Sequence, residues 1–270
     1  MITFLFWNLN KKPLQSNIKN IVDKYEVDIL MFAECDIPPE ILLRTLNQDS
    51  VLYHYVPKIG CQKITIVTRF PSDWIKARQE TDYLTIRHLR LPGLRDILLA
   101  IMHFPSKLYW KDHSQASECF IVANMIKEAE EEAGHSRSIL VGDFNMNPFE
   151  YGVVSAVGFN AVMTRGIADK KSRMVKGREY PFFYNPMWNY LGDETPGPSG
   201  SYYYSFYEHF GYFWNMFDQV LVRPELLTCI DKNFVKILDS DGSVSLLNSQ
   251  GIPDSDKVSD HLPILFKINL

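Results

Sequence analysis

The segment SILVGDFN, residues 138–145, joins a short apolar run to Asp143 and Asn145. The run predicts a buried strand over residues 139–141, with the two polar residues where that strand ends. A second segment, VSDHLPILF at residues 258–266, places Asp260 and His261 at the start of another apolar run. Both segments therefore predict that carboxylate, amide and imidazole groups are delivered to the end of a sheet.

Polar side chains recur at the ends of other predicted strands. Asn8 follows FLFW, Glu34 follows DILMFA, His103 follows DILLAIM, and Asp218 opens DQVLV. Each of these residues alone is typical of a turn, a helix cap or a hydrogen-bonded structural histidine. Taken together, they predict one crevice in which the polar groups converge while the apolar residues fill the core.

The hydrophobic pattern predicts a mixed α/β chain. Strands are expected at 2–6, 28–32, 64–70, 83–91, 97–103, 139–141, 217–222 and 261–268. One helix has a stripe formed by Leu14, Ile18, Ile21, Val22 and Tyr25.

A second helix is expected from about residue 114 to 133, ending at Gly134. Residues 127–132 should lie near its charged, solvated end. Its expected inner face consists of Ala116, Cys119, Phe120, Ala123 and Ile126. Long loops are expected at 192–201 and 239–257, within a single domain over residues 1–270.

The composition is that of an ordinary globular protein. The chain has 270 residues, of which 46% are hydrophobic and 22% charged, so disordered and disulfide-stapled classes are excluded. Its four cysteines are widely spaced, which indicates reduced core residues. The net charge of −4 argues against a surface that binds nucleic acid over its whole extent. No run is long enough for a signal-peptide core or a membrane span, so we expect a cytoplasmic location.

The order and spacing of the polar residues resemble the endonuclease/exonuclease/phosphatase superfamily of metal-dependent phosphodiesterases, which includes DNase I. The resemblance runs from Trp7-Asn8 to Ser259-Asp260-His261, and its most specific motifs are GDFN and SDH. It implies a four-layer αββα sandwich, in which helices flank two mainly antiparallel sheets. Periodicity alone predicts no more than a mixed α/β chain.

The resemblance also implies a metal site. Phosphodiester hydrolysis needs a divalent cation to offset phosphate charge, an in-line water and help for the departing oxyanion. Glu34 would be the principal ligand, with Asn8 and Asp260 as direct or water-mediated ligands. These hard oxygen donors suit Mg²⁺ or Mn²⁺.

The same resemblance implies the catalytic roles. Asp143 would orient or deprotonate the attacking water, and Asn145 would donate to the phosphate oxygens. His261 would contact the scissile phosphate while Asp218 orients its ring. His103 would contact a phosphate oxygen or assist the leaving group. The sequence leaves open whether Asp143 or His261 is the general base.

Two features bear on the substrate. Residues 165–178 carry six cations against one Asp, which predicts a substrate-binding loop or, alternatively, an ordinary solvated one. The cations assigned to substrate are Arg165, Lys170, Lys171 and Arg173. Residues 180–217 hold 16 of the 36 aromatic side chains, either as a platform for stacked bases or packed under the long loops.

The chain departs from three well-known branches of the superfamily at residues that are typical of those branches. Gln219 follows Asp218 where inositol 5-phosphatases usually have Arg. Phe144 stands where DNA-tyrosyl phosphodiesterases carry Thr, and Asn147-Pro148 differs from the usual continuation in abasic-site enzymes.

We therefore expect a nuclease or nucleotide phosphodiesterase whose substrate is nucleic acid or an oligonucleotide. One alternative is a phosphatase or phosphodiesterase acting on a small or lipid-linked phosphate, and another is an inactive binding module. An inactive module should have lost at least one residue of the site. All five of its most informative residues are present: Glu34, Asp143, Asn145, Asp260 and His261. The sequence identifies no protein partner.

Overall fold

The computed structural model describes residues 1–48, 51–205, 209 and 211–270. Its strands are β1 Ile2–Asn8, β2 Ile29–Ala33, β3 His54–Val56, β4 Ile64–Thr68, β5 Ile75–Glu80, β6 Leu84–Leu89, β7 Ile97–His103, β8 Ser138–Asp143, β9 Ala161–Val162, β10 Ser172–Val175, β11 Arg178–Pro181, β12 Phe183–Tyr184, β13 Tyr202–Tyr203, β14 Trp214–Asn215, β15 Asp218–Val222, β16 Val235–Ile237 and β17 Ile264–Ile268. Its α-helices are α1 Gln15–Tyr25, α2 Pro39–Leu46, α3 Asp112–Ala133, α4 Tyr151–Val154 and α5 Arg165–Ala168. Short 3-10 helices cover Ser72–Trp74, Pro186–Tyr190 and Pro224–Cys229.

Two large sheets form the centre of the fold. The first has the strand order β16-β17-β1-β2-β4-β3, in which only the pair β1 and β2 is parallel. The second has the order β5-β6-β7-β8-β15-β12-β9, with two parallel pairs, β7 with β8 and β12 with β9. Both sheets are thus mainly antiparallel, and the expected αββα sandwich is confirmed.

The central strand β7 explains how the layers pack. Its side chains alternate between two faces, as the pleat of a strand requires. Leu99 and Ile101 belong to the core shared by the two sheets. Leu98, Ala100 and Met102 belong to a second core under α3. Every residue of β7 before His103 is buried, so this strand is covered on both sides.

The structure corrects two expectations about α3. Phe120 was expected on the inner face but is 47% exposed. Cys119 and Ile126 are buried as expected, whereas Ala116 and Ala123 are only partly buried. The buried positions before Glu130 are Gln115, Cys119, Val122, Ile126 and Ala129. Glu130 was expected in a solvated segment, yet its carboxylate is buried and lies 2.8 Å from Nε of Arg223. A buried charge is retained in a helix when such a partner compensates it.

The predicted boundaries of other elements hold in part. The first strand extends beyond residue 6 to Asn8, and the GDFN strand extends to Asp143. The last strand was expected to begin at His261 but begins at Ile264, because the preceding residues bend into the site. Helix α2 was not predicted. All four cysteines are free, as expected, and no helix of the described residues is long and apolar enough to cross a membrane.

Gly142 shows why the GDFN motif begins with glycine. Strands β7 and β8 are parallel, and Gly142 pairs with Met102. A Cβ atom at residue 142 would lie 1.9 Å from the carbonyl oxygen of Met102, and the residue has a φ of 152°. Any side chain would force the two strands apart at the point that positions Asp143.

Candidate active site

A cavity of about 1000 Å³ lies at the carboxyl ends of β1, β2, β7 and β8. Parallel strands end at the same edge of a sheet, so each of these strands brings one polar side chain to the cavity. The predicted site residues that line it are Asn8, Glu34, His103, Asp143, Asn145, Asp260 and His261. Asp218 is fully buried beside His261. The structure thus brings together all eight residues predicted for catalysis and metal binding.

Asp143 lies on the floor of the cavity, with 1% of its surface exposed. Its Oδ2 accepts a hydrogen bond from Asn8 Nδ2 at 3.0 Å, and its Oδ1 accepts one from the backbone N–H of Asn145 at 2.9 Å. Asn145 has a positive φ of 48°, and its Nδ2 donates to the carbonyl of Phe104 at 2.8 Å. These bonds fix the carboxylate and the amide relative to each other, and such a strained backbone is typical of functional sites.

His261 is held between two carboxylates. Its Nδ1 lies 2.7 Å from Asp218 Oδ2, and its Nε2 lies 3.9 Å from Asp143 Oδ2. Burial disfavours the charged ring, but Asp218 and Asp143 outweigh that penalty and raise the pKa of His261 above its ordinary value. The expected contact between Asp218 and His261 is present, and the two carboxylates favour the protonated form of the ring.

The SDH motif fixes the backbone around this ring. The indole N–H of Trp7 donates to the carbonyl of His261 at 2.8 Å. The hydroxyl of Ser259 donates to the carbonyl of Asn8 at 2.7 Å and accepts from the N–H of His261 at 3.1 Å. Ser201 fixes the backbone of Asp218, because its hydroxyl accepts from the backbone N–H of that residue at 2.9 Å. The sequence reading missed Ser201, which lies in a Gly/Ser-rich loop without a strand pattern.

Glu34 and His103 form the other side of the cavity. Glu34 follows β2 with a positive φ of 46°, which turns its partly exposed side chain inward. His103 Nε2 lies 3.6 Å from Glu34 Oε1 and 3.7 Å from Asp143 Oδ2. Burial lowers the pKa of His103 and outweighs the opposing effect of Asp143 and Glu34. The two histidines of the cavity thus have pKa values shifted in opposite directions.

The donor set fits a hard divalent cation. Glu34, Asp143 and Asp260 offer carboxylate oxygens and Asn8 an amide oxygen, and no cysteine lines the cavity among the described residues. Oxygen donors of this kind suit Mg²⁺ or Mn²⁺. Ligand atoms of Asp143, Asp218 and His261 also lie within 4.8 Å of one another. Because both nitrogens of His261 face carboxylates, that trio is better described as a buried ion-pair network.

A second trio, His88, Asp96 and His135, lies outside this cavity. The backbone N–H of Arg137 donates to His135 Nδ1 at 3.1 Å, so the neutral ring carries its proton on Nε2, which faces Asp96 at 3.3 Å. Arg137 also pairs with Asp96. A protonated nitrogen and a neighbouring guanidinium both disfavour a metal ion there.

Some aromatic side chains of residues 180–217 line the cavity, where bases could stack, and others are packed in the interior. Tyr202 lines the cavity, with its ring 4.7 Å from that of His261 and stacked on Phe217 at 5.2 Å. Burial raises the pKa of Tyr202 to about 12, so its hydroxyl stays protonated. Tyr204 and Tyr212 also line the cavity, whereas other rings are buried in the cores: Phe182, Phe183 and Tyr184. Residues 206, 207 and 210 lie outside the described residues.

The structure does not bring the basic segment into the cavity. The Arg165 guanidinium donates to the carbonyl of Ile230 at 2.9 Å, and Arg173 donates to the carbonyl of Val154 at 3.1 Å. Lys170 and Lys171 are exposed. None of these four cations lines the cavity. A cation that does line it, Lys63, was not predicted, because no motif marks it.

We compared the chain with known protein families and with curated protein sequences. The model of the Endonuclease/Exonuclease/phosphatase family matches residues 5–261. No curated protein sequence matches the chain significantly.

Solved structures with the same fold cover all of this chain. Truncated TDP2 from Caenorhabditis elegans is 18% identical with a TM-score of 0.56, and 98% of it is covered. D. rerio TDP2 complexed with single strand DNA product is 16% identical with a TM-score of 0.55, and 99% of it is covered. The Neisseria 3' phosphatase NExo bound to a product DNA hairpin is 14% identical with a TM-score of 0.53, and 100% of it is covered. Identities this low show a shared fold.

Proposed function

The chain belongs to the endonuclease/exonuclease/phosphatase family, and we propose on that premise that it is a Mg²⁺- or Mn²⁺-dependent phosphodiesterase acting on nucleic acid or oligonucleotides. One observation carries this proposal. Glu34, Asp143, Asn145 and the His261–Asp218 pair converge on a single cavity of about 1000 Å³. The family itself hydrolyses phosphoesters, and two structures of the same fold hold DNA products.

Glu34 would hold the cation, with Asn8 and Asp260 as further oxygen ligands at the same end of the first sheet. When bound, the ion offsets charge on the phosphate and polarises its P–O bonds. The half-buried Glu34 provides the negative charge that retains the ion in a site otherwise open to solvent.

Asp143 would take the proton from the attacking water. A general base must have a free lone pair within reach of the proton, and Asp143 is an acceptor fixed at the cavity floor. His261 is the weaker candidate for the base, because Asp218 and Asp143 favour the protonated form of its ring. Its charged Nε2–H instead suits donation to a phosphate oxygen on which negative charge develops. The raised pKa of His261 therefore favours Asp143 as the base.

Asn145 and His103 would complete the phosphate site. One N–H of the Asn145 side chain is bound to Phe104, which leaves the other N–H for a phosphate oxygen. Burial favours the neutral form of His103, whose ring N–H can donate a hydrogen bond to the leaving oxygen. These groups are held before substrate arrives, which lowers the reorganisation needed in the transition state.

The test measures hydrolysis of single- and double-stranded DNA, RNA, a phosphoinositide and bis(p-nitrophenyl) phosphate by the full chain. We expect cleavage of at least one nucleic acid with Mg²⁺ or Mn²⁺, and none in excess chelator. Glu34→Gln should weaken the metal dependence, measured as the cation concentration that gives half-maximal rate, because the amide removes the charge that retains a hard cation.

The matched control is Glu26→Gln, which removes the same charge from a residue that does not line the cavity. It should leave the metal dependence unchanged. Full activity in chelator would refute the metal-dependent mechanism. Cleavage confined to the phosphoinositide would instead support the alternative substrate class, a small or lipid-linked phosphate.

A further inference from the structure

We propose that Lys63 binds a phosphate that flanks the scissile one, so that the substrate is a polynucleotide strand rather than an isolated phosphoester. This inference rests on the proposed function and specifies its substrate. It concerns a residue at the rim of the cavity, outside the groups assigned to catalysis and metal binding.

The strand register places Lys63 beside the metal ligands. Strands β2 and β4 are antiparallel, and Ala33 pairs with Ile64. The next residues outward along the two strands are Glu34 and Lys63, which therefore emerge at the same sheet edge. Both residues line the cavity. The Lys63 charge also contributes to lowering the pKa of His103, another residue of the cavity lining.

The Lys63 ammonium is available to a ligand. Within the part of the chain that the structure describes, the Lys63 ammonium forms no hydrogen bond or ion pair. The other lysine of the cavity, Lys107, is ion-paired with Glu150 and with Asp112. An unpaired ammonium next to a site for phosphate is a point charge suited to a phosphate oxygen.

The position of Lys63 favours a flanking phosphate over the scissile one. Lys63 is exposed, whereas Asp143, Asn145 and His261, which would surround the scissile phosphate, are 1%, 8% and 6% exposed. The ammonium thus lies at the mouth, away from the buried floor. The cavity volume of about 1000 Å³ is also at the upper end of the range for small-molecule sites, which leaves room for more than one nucleotide.

Another part of the cavity lining, in the segment that follows β7, is suited to the bases of such a strand. Tyr109 and Leu108 line the cavity with 83% and 86% of their surfaces exposed. An exposed ring beside a cationic rim is the combination that single-strand binders use, with phosphates on the charge and bases on the rings. A substrate with one phosphate and no base would contact neither Lys63 nor Tyr109.

The experiment compares Lys63→Ala with the wild-type chain on two substrates. These are a single-stranded oligonucleotide of about 12 nucleotides, chosen to span a typical binding site, and bis(p-nitrophenyl) phosphate. We expect KM for the oligonucleotide to rise about tenfold, as for the loss of one charge-assisted hydrogen bond. The slope of log(kcat/KM) against log salt should flatten by about 0.7, the value for one contact on a single strand. Lys63→Arg should restore both quantities.

The matched control is Lys236→Ala, which removes the same charge from an exposed residue of β16 that does not line the cavity. An oligonucleotide slope equal to that of the wild type in Lys63→Ala would overturn the inference, and so would an equal loss on both substrates. A wild-type chain that cleaves no nucleic acid of the panel given above would refute the proposed function itself, whereas the inference about Lys63 fails on the variant alone, so the two failures are distinguishable.

Discussion

Asp218→Asn tests whether the buried carboxylate controls the charge of His261. The replacement keeps the side-chain volume and an oxygen that can accept from Nδ1, but it removes the negative charge that lies 2.7 Å from the ring. Burial then acts on His261 with less opposition, and the pKa of the ring falls. At neutral pH, a larger fraction of the rings in the variant should be neutral, and a neutral imidazole stabilises phosphate charge less well.

The size of the effect follows from the geometry. A positioned proton donor contributes about 10²- to 10⁴-fold to a rate, so His261→Ala should lower kcat about 10³-fold. Asp218→Asn acts only through the ring and should lower kcat about 10²-fold. If the two residues act as a unit, the double variant loses about 10³-fold rather than about 10⁵-fold. The difference corresponds to a coupling free energy of about 2.7 kcal/mol.

The assay is single-turnover cleavage of the best oligonucleotide at saturating Mg²⁺, for the wild type, both single variants and the double variant. Circular dichroism and thermal unfolding should establish that each variant is folded. A loss of about 10⁵-fold in the double variant would show independent residues and would refute the reasoning.

Three further outcomes are expected. The pKa of His261 is raised on folding, so protonation of the ring stabilises the folded protein. This stabilisation is fully present below about pH 6.5, the ordinary pKa of histidine, and is lost as the pH rises through the raised pKa. Urea unfolding from neutral to alkaline pH should show this loss in the wild type and not in His261→Ala. Arg223→Met should lower the free energy of unfolding by about 3–5 kcal/mol, because it leaves the buried Glu130 without its partner, and a loss below about 1 kcal/mol in urea unfolding would contradict this. The basic segment lies outside the cavity, so its contribution should appear only with long strands. In filter binding, changing Lys170, Lys171 and Arg173 together to Ala should flatten the salt dependence of binding to long DNA but not to short oligonucleotides. A salt slope on long DNA equal to that of the wild type would exclude the contact.

The geometry of the site could be predicted in large part because polar residues at strand ends are a local signal. Asn8, Glu34, His103 and Asp143 each follow an apolar run directly, and strands that run in parallel end at one edge. The contact between Asp218 and His261 was predicted by resemblance and is present at 2.7 Å. The catalytic roles of these residues stay predictions until the variants are measured.

Other features depend on long-range pairing that a local pattern does not contain. Lys63 reaches the cavity because β4 pairs with β2 in one register, and a shift by one residue would point it to the other face. The prediction that Phe120 lies on the inner face of α3 was wrong, because an apolar side chain on a helix can remain exposed. Glu130 was misplaced because its partner, Arg223, is 93 residues away.

The rate of oligonucleotide cleavage by Asp143→Asn tests the proposed mechanism most directly. This substitution preserves the shape of the side chain and can keep one acceptor for Asn8 or for the N–H of Asn145. It removes the group proposed to take the proton from water. Under single-turnover conditions at saturating Mg²⁺, we expect the rate to fall by at least about 10³-fold with the thermal unfolding midpoint preserved. A rate within about tenfold of the wild type would contradict the assignment of Asp143 as the base.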